Sequence, residues 1–204
     1  MLNEKEWLKT LNEIQAIAQN GLAYCSNDFD RERYMQLRDI AARLAAMGSD
    51  KVGDIAHLFS FETGYATPKL DVRAFIVKND KVLLVQEKSD GLWTLPGGWI
   101  DVNESPSESV MRETREETGY GVRVIRLMAL WDKLKHDHPP QWPHAYKCFF
   151  HCEIESGEAQ ANNEIAEVGF FARDKLPPLS IHRVTEKQIL RLYDALNERE
   201  ALFD

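Results

Sequence analysis

The chain has 204 residues, 44% of them hydrophobic, and carries 25 Lys+Arg against 33 Asp+Glu for a net charge of −8. That is enough apolar chain for one sizeable core and a small additional unit, while the acidic balance argues against a nucleic-acid-coating surface, which would show a basic patch or stripe. No apolar run approaches the length of a membrane span, and the start MLNEKEWLKT lacks the basic end and apolar core of a signal peptide, so the cytoplasm is the expected compartment.

Along the chain, Trp7, Leu8, Leu11, Ile14, Ala18 and Leu22 recur at helical spacing, as do Tyr34, Leu37, Ile40, Ala41 and Leu44. VGDIAHLF (52–59) suggests a third short helix, stopped by the linker SFETGYATP (60–68). Residues 1–63 therefore read as a small all-helical domain, and 66–204 as a second domain of different pattern. There, VRAFIVKNDKVLLVQE (72–87) predicts two apolar strands about a turn at Asn79-Asp80. Further strands are expected at 92–95, 97–102, 121–131, 145–154 and 167–171, and TEKQILRLYDALNERE (185–200) as a closing amphipathic helix. Strands combined with two helices give an α+β class. Cys25, Cys148 and Cys152 are an odd set without zinc-type partners and read as reduced, packed thiols.

GGWIDVNESPSESVMRETREETGY (97–120) carries the chemistry. Ser105, Pro106 and Glu108 form a capping box with proline at the first helical position, and Gly119 is a stop, so a helix is predicted over about 106–118. On it Glu113 shares a face with both Glu116 and Glu117, each like-charge pair costing roughly 0.2–0.5 kcal/mol in an isolated helix. Arg112 and Arg115 can balance them as a solvated, salt-laced face. Alternatively, Gly97 and Gly98, which permit close backbone approach after LWTLP, bring a carbonyl toward the acidic helix.

Gly98, five residues, Glu104, seven residues, then RETREETGY from Arg112 to Tyr120 resembles the box of the Nudix family, with every charged and glycine position in register. Thr114 and Tyr120 depart from the family's aliphatic preference, but each can turn a methyl or a ring inward. The resemblance covers residues 66–204 and implies an α/β/α sandwich with a mixed sheet. The preceding helical domain, with HDHPPQW, EVGFF and LPPLS, resembles the subgroup that hydrolyses a nucleoside diphosphate linked to another moiety, ADP-ribose and CDP-choline among them.

What the resemblance implies is a pyrophosphohydrolase that uses Mg²⁺ or Mn²⁺, held by the oxygens of Glu113, Glu116, Glu117 and the Gly98 carbonyl, with Arg112 bracing the glutamates. Glu104 either assists the site or favours the positive helix end. The base is open among Glu164, Glu167, Glu117 and a metal hydroxide, with Glu164 preferred. Arg73 can contact a phosphate or lie on a solvated strand edge; Trp142 can stack on a base or anchor its loop. His136, His138 and His144 lie in a proline-rich loop that mimics a metal site but lacks another soft ligand. A nucleotide sensor and an RNA-end-processing enzyme are the other function classes, the second weakened by the acidic charge. The expected partners are a nucleoside diphosphate-linked small molecule and a second copy of the chain, since about 60 helical residues bury their apolar stripes poorly alone; no membrane or nucleic acid is expected.

Overall fold

The structure is a computed structural model that describes residues 4–46, 56, 59–139 and 141–204. It divides into two compact units: Met1–Pro68 with Pro140–His144, and Lys69–Pro139 with Ala145–Asp204. The second division point, at the proline-rich loop, has no counterpart in the sequence pattern.

In the first unit α1 (Glu4–Tyr24) and α2 (Asp28–Ala45) are joined by a short turn, and Asn27 caps α2 by accepting from the Asp30 N–H at 2.8 Å. The helices approach closely at Gly21, where a Cβ would meet the Tyr34 ring at 2.3 Å. Ala41, Ala42 and Phe59 are buried together, with Ile14, Ala56 and Trp142 packed against them. The incoming tail is tied back to α1, because the Ala66 N–H donates to Asn20 Oδ1 at 2.6 Å. The third helix expected at 52–59 falls largely outside the described residues.

The second unit has two sheets. One has the order β1 (Lys69–Phe75), β6 (Ala145–Gly157), β5 (Tyr120–Asp132), β8 (Leu202–Phe203) and is mixed: β1 with β6 and β5 with β8 are parallel, while β5 with β6 is antiparallel. The other is antiparallel, with β2 (Val77–Lys78), β3 (Lys81–Glu87) and β4 (Trp93–Thr94) in order and β7 (Ile165–Ala172) on the free side of β3. Two helices belong to this unit, α3 (Pro106–Thr118) and α4 (Glu186–Asp194). The α+β class is as the sequence pattern predicts, and the mixed sheet is as the family resemblance implies.

Strand pairing differs from that pattern in two places. The turn at Asn79-Asp80 forms, with φ of 52° and 59°, but only Val77–Lys78 pairs back on β3; residues 69–75 leave to pair with β6 in the other sheet. No strand forms over 97–102 beyond an isolated bridge between Trp99 and Asp71, because Gly97, at φ 135°, turns the chain sharply.

The strands read as unbroken apolar runs because both faces are covered. Phe75, Leu84 and Phe149 pack with Ile189 and Leu192 of α4. Their neighbours Ala74, Ile76, Leu83 and Cys148 face the other way and pack with Val110 of α3. α3 is thereby clamped across the sheet that carries β1, its buried face formed by Val110, Thr114, Glu117 and Thr118. Thr114 fits an aliphatic slot because its hydroxyl bonds the Val110 carbonyl at 2.7 Å, which leaves the methyl for the core.

Candidate active site

The helix that carries the glutamates begins and ends as its sequence dictates. Ser105 Oγ accepts from the Glu108 N–H at 3.3 Å, Glu108 returns the bond to the Ser105 N–H at 2.9 Å, and Gly119 takes the left-handed conformation at φ 80°. α3 is therefore fixed in length and rotation, and its last turns lie against the Gly97-Gly98 turn.

That turn is strapped to β1. The Val72 N–H donates to the Gly98 carbonyl at 2.8 Å, the Ala74 N–H to Pro96 at 2.8 Å, and the Ile100 N–H to Leu70 at 3.1 Å. Only glycine fits at 97, where a Cβ would stand 2.0 Å from the Val72 carbonyl oxygen. At 98 a Cβ would stand 3.0 Å from the Glu113 carboxylate, so a bare Cα is what lets that carboxylate approach. The Gly97 N–H donates to Glu117 Oε2 at 2.8 Å.

Arg112 supplies the positive charge that the clustered glutamates require. Its Nε and Nη2 grip both oxygens of Glu104 at 2.8 and 3.0 Å, its Nη1 reaches Glu113 and Glu116 at 3.0 Å each, and Asp101 stands 3.4 Å away. Four carboxylates thus share one guanidinium. Arg115 is exposed and makes no ion pair among the described residues, so the two-arginine balance is not what forms. Glu104 acts here as the bidentate brace of Arg112, while Ser105 caps the helix.

Electrostatics separate the glutamates. Burial raises the Glu113 carboxyl, opposed by Arg112. Burial raises Glu117, 8% exposed, much further, to about 8, against the pull of Arg73 and the Gly97 N–H. The Arg112 hydrogen bonds hold Glu104 below the usual range. Among the described residues no three acidic, histidine or cysteine side chains converge tightly enough as they stand to hold an ion. Arg112 draws Glu113 and Glu116 to itself, and the Gly97 N–H holds Glu117.

Behind the turn lies a charged group that the sequence pattern did not reveal. Arg73, 4% exposed, is gripped by both oxygens of Asp71 at 3.0 and 2.8 Å and donates to the Leu95 carbonyl at 3.0 Å. The solvated-edge alternative for Arg73 is thereby overturned: it is a core arginine whose charge reaches Glu117. Lys147, in register beside Asp71, donates to Asp71 Oδ1 at 2.6 Å. Burial alone would raise the Asp71 carboxyl, but the two cations hold it at about 2. Charged residues inside the apolar runs KLDVRAF and AYKCFF were the available signal.

Of the remaining candidates, Glu164 is exposed, in a loop fastened to α3 where Asn162 Nδ2 donates to the Glu116 carbonyl at 2.6 Å. Glu167 is exposed on β7, opposite Gln86. Trp142 packs against Phe59 at 5.5 Å, which favours anchoring over stacking on a base. His136 pairs with Asp204 at 3.1 Å and His138 with the Ile181 carbonyl at 2.7 Å, so the loop histidines do not converge. Cys25, Cys148 and Cys152 are free thiols.

Residues 5–57 match the family described as a UDP-X-like, N-terminal oligomerisation domain, and residues 67–193 match the NUDIX domain. The Bacillus subtilis protein YjhB, provisionally named an ADP-ribose pyrophosphatase, is 42% identical over 98% of both chains. The crystal structure of a UDP-X diphosphatase is 36% identical, covering 97% of this chain and 98% of the other, with a TM-score of 0.65. An ADP-ribose pyrophosphatase structure from Streptococcus suis is 44% identical over 68% of this chain and 100% of its own, with a TM-score of 0.62. With the glutamate helix, its arginine brace and the double-glycine turn in place, and the domain matched over most of the chain, the protein belongs to the Nudix family.

Proposed function

We propose that this chain is a divalent-metal-dependent pyrophosphohydrolase that splits a nucleoside diphosphate linked to a second moiety, X, into a nucleoside monophosphate and X-phosphate. The observation that carries this reading is the buried Glu117 carboxylate, held by the Gly97 N–H on a helix whose other glutamates share one arginine. The full-length likeness to proteins named for ADP-ribose and UDP-X supports the substrate class.

Glu113, Glu116, Glu117 and the second lone pair of the Gly98 carbonyl are hard oxygen donors of the kind Mg²⁺ and Mn²⁺ prefer. They fit such an ion chemically: the carboxylates outnumber their cation, and burial keeps Glu117 raised to about 8 even with Arg73 near it, so a further positive neighbour favours its ionised form. A bound divalent ion neutralises phosphate oxygens and makes its water acidic. The chain's own residues do the rest. Arg112 keeps Glu104 and the preceding loop against α3, and Gly97 fixes one oxygen of Glu117 while leaving the other available. Glu164, on the loop that Asn162 fastens to Glu116, is our choice for the residue that takes the proton of the attacking water, in preference to Glu167 on the sheet face. Water attacks one phosphorus, the anhydride bond breaks, and the leaving phosphate departs with X.

The first unit is assigned to a homodimer contact, because Ile17, Phe29, Met35 and Ile40 are exposed on its two helices and its family description is an oligomerisation domain. Free thiols and no helix, among the described residues, long and apolar enough to cross a membrane accord with a cytoplasmic site of action.

The test is incubation with Mg²⁺ or Mn²⁺ and a panel of ADP-ribose, CDP-choline, UDP-sugars, NADH, diadenosine polyphosphates and NTPs, with chromatographic identification of products. A nucleoside monophosphate plus X-phosphate, formed faster than any NTP is cleaved, is expected. Binding of one compound with none cleaved would replace the hydrolase by a nucleotide sensor.

A further inference from the structure

We propose that Asn162 is a positioning residue for hydrolysis: its one carboxamide ties the main chain of Glu164 to the helix that carries Glu113, Glu116 and Glu117. The starting point is the end of α3. Glu116 lies in the last turn, where carbonyls run out of helical partners. The Arg115 carbonyl takes the Gly119 N–H at 2.9 Å, but the Tyr120 N–H, next in line for Glu116, turns to Thr118 Oγ1 at 3.1 Å. The segment after β6 fills what is left. The Gln160 N–H donates to the Thr118 carbonyl at 2.9 Å, and Asn162 Nδ2 donates to the Glu116 carbonyl at 2.6 Å.

The other end of the same carboxamide holds Glu164. Asn162 Oδ1 accepts from the Glu164 and Ile165 N–H groups, both at 2.7 Å, in a side-chain-closed turn that uses both of its lone pairs. The Asn162 main chain is held as well, its N–H donating to the Ile165 carbonyl at 3.1 Å and its carbonyl accepting from Lys88 Nζ at 2.7 Å. The Lys88 N–H donates to the Glu164 carbonyl at 2.9 Å, which fastens the loop to the end of β3. Glu164 is thus tied through both its N–H and its carbonyl. Its side chain is exposed, and among the described residues its carboxylate makes no hydrogen bond or ion pair. Closing the turn requires only Asn162 Oδ1. The bond from Nδ2 is an added link, spanning 46 positions of sequence to the acidic helix. A base acts only where its oxygen reaches the attacking water, and a misplacement of about 1 Å can cost roughly a hundredfold in rate. An exposed glutamate meets that tolerance only if its main chain is fixed to the helix it works beside.

The inference rests on the reading of Glu164 as the base, so Glu164→Gln is measured beside Asn162→Ala and the double variant. The readouts are kcat and KM with Mn²⁺ on the fastest-cleaved compound of the panel above. Glu164→Gln should lower kcat about a hundredfold or more. Asn162→Ala should lower kcat about tenfold or more and change KM less than about twofold, because it displaces the base and leaves the substrate's contacts in place. The double variant should be no slower than Glu164→Gln alone, since a residue that acts through Glu164 then has nothing left to position. The Mn²⁺-dependent rise in melting temperature should persist in Asn162→Ala. If that variant does not fold, Asn162→Asp, which keeps the acceptor of the turn and removes the donor to Glu116, takes its place with the same expectations. Losses that multiply in the double variant, a wild-type rate in Asn162→Ala beside a slow Glu164→Gln, or a lost Mn²⁺ response in Asn162→Ala would overturn the positioning role and leave the base assignment standing. A wild-type rate in Glu164→Gln removes the base assignment and the positioning role with it, as does a panel in which nothing is cleaved.

Discussion

Glu117 is where the site's chemistry and the protein's stability meet. Its carboxyl titrates at about 8 in the metal-free fold against 4.5 when solvated, so the unfolded chain ionises first as pH rises. Without metal, stability should therefore be highest below about pH 4.5 as far as this group is concerned, and fall on the order of 4 kcal/mol by pH 8. Glu117→Gln should flatten that decline, as urea titrations at pH 5 and 8 in chelator would show; an unchanged slope would refute the assignment. Asp71 behaves oppositely: held at about 2, it adds stability above its ordinary value that is lost as pH falls through about 2. Asp71→Ala strands Arg73 and Lys147 in the interior and should cost about 3–5 kcal/mol in the same titration. The glutamates were legible in the sequence because three like charges on one face demand a cation. Asp71 and Lys147 were not, because their pairing joins residues 76 positions apart across two strands.

At the scale of elements, local signals placed α3 well and strand partners poorly. A capping box and a glycine stop act within a few residues, so the helix limits were written in the sequence. Ser105→Ala should cost about 1 kcal/mol of stability. Gly119→Ala should cost more, because it puts a side chain at φ 80° and a Cβ 2.5 Å from the Glu158 carbonyl oxygen. Thermal melts of the two variants rank them, and equal losses would mean the Gly119 stop is not strained by a side chain. The run 72–87 shows where strands form but not that its first half joins β6, since both sheets want the same apolar residues. Likewise 97–102 has strand-like residues, yet the glycine turn that the site needs allows only one bridge to β1.

For the whole molecule, the sequence separates a helical part from an α+β part because the hydrophobic period changes, while the inclusion of Pro140–His144 in the helical unit depends on Trp142 meeting Phe59, which no periodicity encodes. Light scattering of the full chain should give a dimer, and Phe29→Ser with Ile40→Ser should shift it toward monomer; a monomeric wild type would remove the dimer proposal. The central claim, that the α3 glutamates hold the ion that drives hydrolysis, is tested most directly by thermal melts of wild type and Glu117→Gln across a Mn²⁺ titration. A ligand that binds only the folded state raises the melting temperature according to its affinity. Wild type should rise steadily with Mn²⁺ and the variant should lose most of that rise while melting at least as high as wild type in chelator. Equal Mn²⁺ responses in the two proteins, or none in either, would contradict the account.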